Sequence, residues 1–217
     1  GDYSFDIERY CFFQRAVLEA MGLPMDFEPD IIHCNDWQTG LIPLLLQAHY
    51  WPYGYHNNVK TVYTIHNLKY QGIHGYEKIS DLCDLSSEYL NDYGALKDGV
   101  PNFMKAGIVY SNWVTTVSPT YANEIQNSFY GESLDDVLRG YSYKLSGILN
   151  GIDLVEYNPE TDPLIYENYT RANWKLGKAA NKAGLRAELN LPSEDSRPII
   201  GMISRLVDQK GLDLIIR

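Results

Sequence analysis

Among the many ionisable side chains of this 217-residue chain, four of types that move protons or hold anions stand where a fold would present them. Asp36 lies in the polar turn Asn35-Asp36-Trp37-Gln38-Thr39-Gly40, between the apolar run ending at Cys34 and the segment Leu41-Ile42-Pro43-Leu44-Leu45-Leu46. His66 closes the β-branched run Val59 to Ile65, and Arg205 and Lys210 follow the run Pro198 to Ile203. A carboxylate before a helix can cap its first free N–H groups or face a substrate. An imidazole can exchange a proton near neutral pH. An arginine fork with a lysine point charge can hold phosphate oxygens. Each also has an ordinary reading: a helix cap, a hydrogen-bonded histidine at a strand end, and surface charges at a helix start, where the dipole disfavours cations. His33 and Cys34 are neighbours, but adjacent residues in a strand face opposite sides, so no metal site is expected.

The elements that must position these residues alternate between strands and helices. A helical stripe at Phe13, Val17, Ala20 and Met21, within about Phe5 to Met21, ends at Gly22 and Pro24. The stretch Asp30 to Leu46 then reads as strand, turn and helix, and Val59 to Ile65 as a strand of a covered sheet. Gly75 to Val100 lacks periodicity and reads as an irregular excursion. Beyond it come a helix from about Asn102 to Ser111, a strand at Trp113 to Val117, and a helix at Thr120 to Asn127 announced by Ser118-Pro119. A short helix at Glu132 to Gly140, a strand at Lys144 to Leu149 and a turn at Asn150-Gly151 follow. The tract Asp153 to Tyr169 is irregular, Arg171 to Leu189 is a basic amphipathic helix, an acidic loop follows, and Pro198 to Ile203 reads as a compact buried strand with a helix opening around Lys210. The pattern predicts an α/β protein with a parallel sheet, and a crossing near Asn150 would place the Asp36 and Arg205 junctions in two domains. Ligands of such sheets bind beyond the carboxyl ends of the strands.

Composition sets bounds. The chain is 45% hydrophobic and 21% charged with a formal charge of -10, which argues against a nucleic-acid or anionic-membrane surface. There is no apolar run long enough to span a membrane, and Gly1-Asp2-Tyr3-Ser4 does not open a signal peptide. Cys11, Cys34 and Cys83 are widely spaced and odd in number, so reduced thiols are expected rather than disulfides or zinc. The start without Met and the stop at Leu214-Ile215-Ile216-Arg217 suggest an internal fragment.

Six motifs in order carry a resemblance: His33-Cys34-Asn35-Asp36-Trp37-Gln38-Thr39-Gly40-Leu41, Thr64-Ile65-His66-Asn67-Leu68-Lys69-Tyr70-Gln71-Gly72, Lys105-Ala106-Gly107-Ile108, Val117-Ser118-Pro119-Thr120-Tyr121, Gly147-Ile148-Leu149-Asn150-Gly151-Ile152-Asp153 and Ser204-Arg205-Leu206-Val207-Asp208-Gln209-Lys210-Gly211-Leu212-Asp213. From about Asp30 onward the chain resembles the bacterial glycogen synthase and plant starch synthase family. The resemblance implies a GT-B glycosyltransferase, with an acceptor-side Rossmann-like domain over residues 1–151 that is incomplete at its start, and a crossing segment with the truncated opening of a donor-nucleotide domain over 152–217. It implies transfer of glucose from ADP-glucose, a nucleotide sugar, to the non-reducing end of an α-1,4-glucan with retention, with no metal or other cofactor and no nucleic-acid or membrane partner. The compartment would be the cytoplasm of a bacterium, or a plastid in a plant. On these motifs Asp36, His66, Arg205 and Lys210 are the catalytic candidates. His66 would sit beside the transferred glucose, Asp36 would line the cleft near sugar and acceptor, and Arg205 and Lys210 would stabilise the departing diphosphate. Asn67, Gln71 and Asn150 are the substrate-binding candidates. The family's lysine-and-double-glycine donor loop and its later glutamate motif are not found in these residues, so the chain alone is expected to be inactive. Two other readings stay open: a fragment or relative that only binds glucan, and a UDP-glucose-dependent transferase of the sucrose synthase type.

Overall fold

A computed structural model describes residues 5–24, 27–192 and 197–215. The chain forms two compact units, Gly1–Asn150 and Gly151–Arg217. The acidic loop expected after Pro192 falls at 193–196, outside the described residues, as do the first four residues and the last two.

The first unit is built on a four-stranded parallel sheet of β1 (Ile31–Asn35), β2 (Lys60–Ile65), β5 (Trp113–Thr116) and β6 (Leu145–Gly147), in the order β1-β2-β5-β6. Cys34 pairs with Tyr63 and Tyr63 with Val114, so these buried side chains share one face. Helix α4 (Phe103–Tyr110) lies against that face. The Tyr63 hydroxyl donates to Met104 Sδ at 3.0 Å, and a side chain at Gly107 would press to 2.5 Å from the Tyr63 ring. Only glycine allows this approach of helix to strand. The expected start at Ser118-Pro119 holds, with Ser118 Oγ accepting from Tyr121 N–H at the head of α5 (Pro119–Glu124), and at the head of α4 the Asn102 Oδ1 accepts from Lys105 N–H. Helix α6 (Asp135–Gly140) begins three residues later than expected.

Three expectations change. In α1 (Asp6–Ala20) the buried stripe is Ile7, Cys11, Gln14 and Leu18, whereas Phe13 is exposed and Val17 and Met21 only border the core. Two stripes at helical spacing were available, and the polar Gln14 disguised the one that packs. Residues Gly75 to Val100 are not irregular throughout. They hold α3 (Tyr76–Cys83), which buries Ile79 and Cys83, and a hairpin of β3 (Leu96–Lys97) and β4 (Val100–Pro101). Helix α2 (Ile42–Leu45) continues as a π-helical turn at Leu46–Tyr50 and a 3₁₀ turn at Trp51–Tyr53. All three cysteines are free and buried.

In the second unit α7 (Trp174–Glu188) is joined to the preceding tract by Asn181, whose Oδ1 accepts from Tyr166 N–H at 2.8 Å and whose Nδ2 donates to Glu167 O at 2.7 Å. Arg186 is buried and donates to the carbonyls of Pro192 and Arg197. The buried strand expected at Pro198 to Ile203 is not formed: Ile200 and Ile203 are exposed and the segment joins no ladder among the described residues. An apolar run becomes a strand only where another backbone edge meets its N–H and C=O groups. The helix expected around Lys210 begins later, at α8 (Leu212–Ile215), after a 3₁₀ turn at Asp208–Lys210. Among the described residues no helix is long and apolar enough to cross a membrane.

Candidate functional site

Because β1, β2, β5 and β6 run parallel, the residues that follow them emerge at one edge of the sheet. Asp36 follows β1, His66 follows β2, and Asn150 lies three residues beyond β6. Asp36 adopts φ 56 and ψ -176, a region that costs a residue with a side chain about 1–3 kcal/mol and persists only when its surroundings enforce it. The enforcement is visible. Asp36 N–H donates to Thr64 O at 3.0 Å, and Asp36 Oδ1 accepts from His66 N–H at 2.8 Å and from Asn67 N–H at 3.4 Å. The next residue, Trp37, packs edge-on against Tyr10 at 5.0 Å and lies beside His74 and Phe103. Gly72, at φ +65, leaves room for the Trp37 ring, since a Cβ there would lie 2.6 Å from it.

Asp36 therefore does not cap a helix. The 3₁₀ turn Trp37–Thr39 that follows it has no side-chain cap, and the Leu41 N–H ahead of α2 is taken instead by the Oε1 of Gln14, at 2.6 Å from α1. Gln14 is fully buried, and its Nε2 donates to Tyr10 O at 3.0 Å. The Asp36 carboxylate binds the start of the β2 loop to the end of β1, a role outside both sequence readings.

The His66 side chain is exposed, and its Nε2–H donates to Asn35 Oδ1 at 2.9 Å. Asn35 is anchored in turn: its N–H donates to Thr39 Oγ1 at 2.6 Å, and Thr39 Oγ1 donates to Asn35 O at 2.8 Å. On the same face of the sheet His33 Nε2 lies 2.7 Å from Thr64 Oγ1, which is 2.6 Å from Thr115 Oγ1, so a polar file crosses three strands behind the edge. Asn67 Oδ1 accepts from Lys69 N–H at 3.1 Å and closes the turn after His66. Gln71 is buried, with its amide donating to Glu132 O at 2.7 Å and accepting from Asn102 Nδ2 at 2.6 Å. It braces the loop from behind. Asn150 is exposed.

Two buried lysines hold the elements behind this edge. Lys105 donates to the carbonyls of Asp92 and Leu96, and burial lowers its pKa. Lys144 donates to Val109 O and Ser111 O at the end of α4, lies 4.8 Å from the Tyr141 ring centre, and is pushed by burial down to about 8. In the second unit Arg205 and Lys210 are both exposed on one short segment, with Val207 N–H donating to Arg205 O and Lys210 N–H donating to Val207 O, each at 2.9 Å. Among the described residues no group of three or more His, Cys, Asp and Glu side chains could hold a metal ion. Sequence reasoning passed over Asn35, Thr39 and Gln14. The first two stood inside a quoted motif, whereas Gln14 had no local signal, because its partner is 27 residues away.

A family model described as starch synthase catalytic domain matches residues 1–140. The chain is 49% identical over 216 residues to a glycogen synthase of Exiguobacterium sibiricum, covering 99% of this chain and 44% of that protein. It is 50% identical over 215 residues to a glycogen synthase of Clostridium acetobutylicum, covering 98% of this chain and 44% of that protein. Among solved structures it is similar to the catalytic domain of Starch Synthase IV from Arabidopsis thaliana bound to ADP and acarbose, with a TM-score of 0.83 and 38% identity over all of this chain and 44% of that one. The chain thus spans under half the length of the relatives it matches. The α/β class with a parallel sheet is of the GT-B type, as that neighbour is. By the family match and these identities, the chain belongs to the starch synthase catalytic domain family.

Proposed function

We propose that this chain is a section of a retaining glucosyltransferase that moves glucose from ADP-glucose to the non-reducing end of an α-1,4-glucan. The observation that carries the reading is the junction at the carboxyl edge of the sheet, where one carboxylate in a strained backbone holds the main chain of an exposed histidine. It belongs to a chain about half identical, over nearly its whole length, to glycogen synthases. Strain kept at a loop that faces solvent points to function.

In this reading residues 1–151 form the acceptor-side domain and 152–217 open the donor-nucleotide domain. Asp36 keeps His66 and Asn67 in place at the sugar, with Asn150 on the same edge, and Gln71 supports the loop that carries Asn67. Arg205 and Lys210 meet the diphosphate as it departs: the guanidinium offers paired N–H donors and the ammonium a mobile charge. Charge stabilisation of that kind asks for no metal. The ADP in the neighbouring starch synthase structure supports an adenine nucleotide as the donor. The product glucan and the nucleotide sugar would then be the partners, in the cytoplasm of a bacterium as the glycogen synthase relatives suggest.

The test is a donor competition on the full-length protein, ADP-glucose against UDP-glucose with glycogen as acceptor, with Arg205→Ala and Lys210→Ala alongside. ADP-glucose is expected to be the better donor, and either substitution to cost about 2.7–4 kcal/mol of transition-state stabilisation, the scale of losing one preorganised donor. Preference for UDP-glucose, or a loss under tenfold, would reject the assignment.

A further inference from the structure

We propose that Asn35 is a positioning residue for this reaction: its side-chain carbonyl holds the His66 ring by Nε2–H and leaves Nδ1 as the ring's acceptor for a sugar hydroxyl. The inference rests on the proposed function for the identity of that hydroxyl, and on geometry for the rest. Asn35 Oδ1 stands 2.9 Å from His66 Nε2. The other end of the Asn35 amide, Nδ2, faces His33 O at 3.5 Å, the outer limit of a hydrogen bond. The residue itself is fixed as the last of β1, paired with Thr64 and bonded through both backbone groups to Thr39 Oγ1.

His66 is thus held twice from the end of β1. Asp36 Oδ1 accepts its main-chain N–H, and Asn35 Oδ1 accepts its ring N–H. An imidazole whose Nε2–H is engaged by a carbonyl presents a lone pair on Nδ1, and that nitrogen can only accept. A neutral amide suits this task, because a carboxylate at the same place would favour the doubly protonated ring, which has no acceptor nitrogen. The arrangement is the one by which a partner on one ring nitrogen sets what the other can do.

The role is tested by a double-mutant cycle and by ring spectroscopy on the full-length protein. Asn35→Leu is expected to lower kcat roughly tenfold to a hundredfold, the scale of misplacing a reacting group by about 1 Å. In a His66→Ala background the same substitution is expected to change nothing further. With histidine labelled by ¹⁵N, His66 should show one fixed tautomer, protonated at Nε2, which becomes an exchanging average in Asn35→Leu and is retained at alkaline pH in Asn35→Asp, where an acceptor oxygen remains. An equal loss in both backgrounds, or a His66 ring pattern unchanged by Asn35→Leu, would overturn the proposal. A wild-type protein that transfers no glucose would instead sink the proposed function, while the ring spectrum would still decide what Asn35 does.

Discussion

Asp36 shows how one residue can be chosen against its local preference. Its backbone sits where glycine is the usual occupant, yet glycine would forfeit the bonds to His66 and Asn67 N–H. Those bonds join a carboxylate to main-chain donors, a class that contributes about 1.5–3 kcal/mol each. Two substitutions separate strain from bonding. Asp36→Ala keeps the strained backbone and loses the bonds, and should destabilise the protein by about 2 kcal/mol or more. Asp36→Gly loses the same bonds but relaxes the backbone, and should recover about 1 kcal/mol of that loss. Urea unfolding of the two variants beside the wild type measures both terms, and an alanine variant as stable as the glycine variant would show that the conformation carries no strain. From the sequence, Asp36 was legible as a candidate at the carboxyl end of a strand and illegible as a fastener, because its two partners stand 30 and 31 residues further on.

At the scale of elements, α4 is the piece on which the edge depends. Its head is capped by Asn102, Gly107 seats it on Tyr63, and its last carbonyls are met by Lys144 and by Gln47, whose Nε2 donates to Tyr110 O at 2.8 Å. A cation at a helix C-terminus is favourable, but burying it is not, and Lys144 is held near 8 against an ordinary value of 10.5. The sign follows from proton counts. Between those two values the unfolded chain keeps a proton on Lys144 that the folded chain has lost, so this group makes stability rise with pH across that window. Below it both states are protonated and the cost of the buried charge is constant. The unfolding free energy of the wild type should therefore gain on that of Lys144→Met between pH 8 and pH 10.5, by about 1 kcal/mol or more once solvent screening is allowed for. Parallel pH series of chemical denaturation would check it, and a constant difference would mean that the carbonyls and the Tyr141 ring already offset the burial. The four strands of the parallel sheet and helix α4 could be read from periodicity, and the start of α5 from the cap chemistry of Ser118-Pro119. The packed stripe of α1 could not, because Phe12 and Phe13 advertise a face that the fold leaves exposed.

For the whole molecule, the chain covers 44% of the two glycogen synthases and 44% of the starch synthase catalytic domain it matches. The described residues of the first unit form a four-stranded parallel sheet, while the apolar run Pro198 to Ile203 in the second unit has no strand partner among the described residues. In the proposed function the donor nucleotide meets Arg205 and Lys210, which would need a formed site around them, since positioning sets rate. The isolated 217-residue chain is therefore expected to elongate glycogen with ADP-glucose at no measurable rate, whereas the full-length protein should do so; labelled glucose incorporation compares the two. Elongation by the isolated chain would mean that these residues suffice. The sequence by itself determined the four strands of the sheet, the helices of the first unit outside Gly75 to Val100, the start of α5 at Ser118-Pro119 and the polar residues that follow the strands, because hydrophobic period and capping act over a few residues. Only the tertiary structure decided that Asp36 fastens β1 to the β2 loop, that Gln14 takes the Leu41 N–H ahead of α2, that Asn35 engages His66, and that Pro198 to Ile203 does not become a strand here. Each of those depends on groups far apart in the chain, which meet, or fail to meet, only once the backbone has folded.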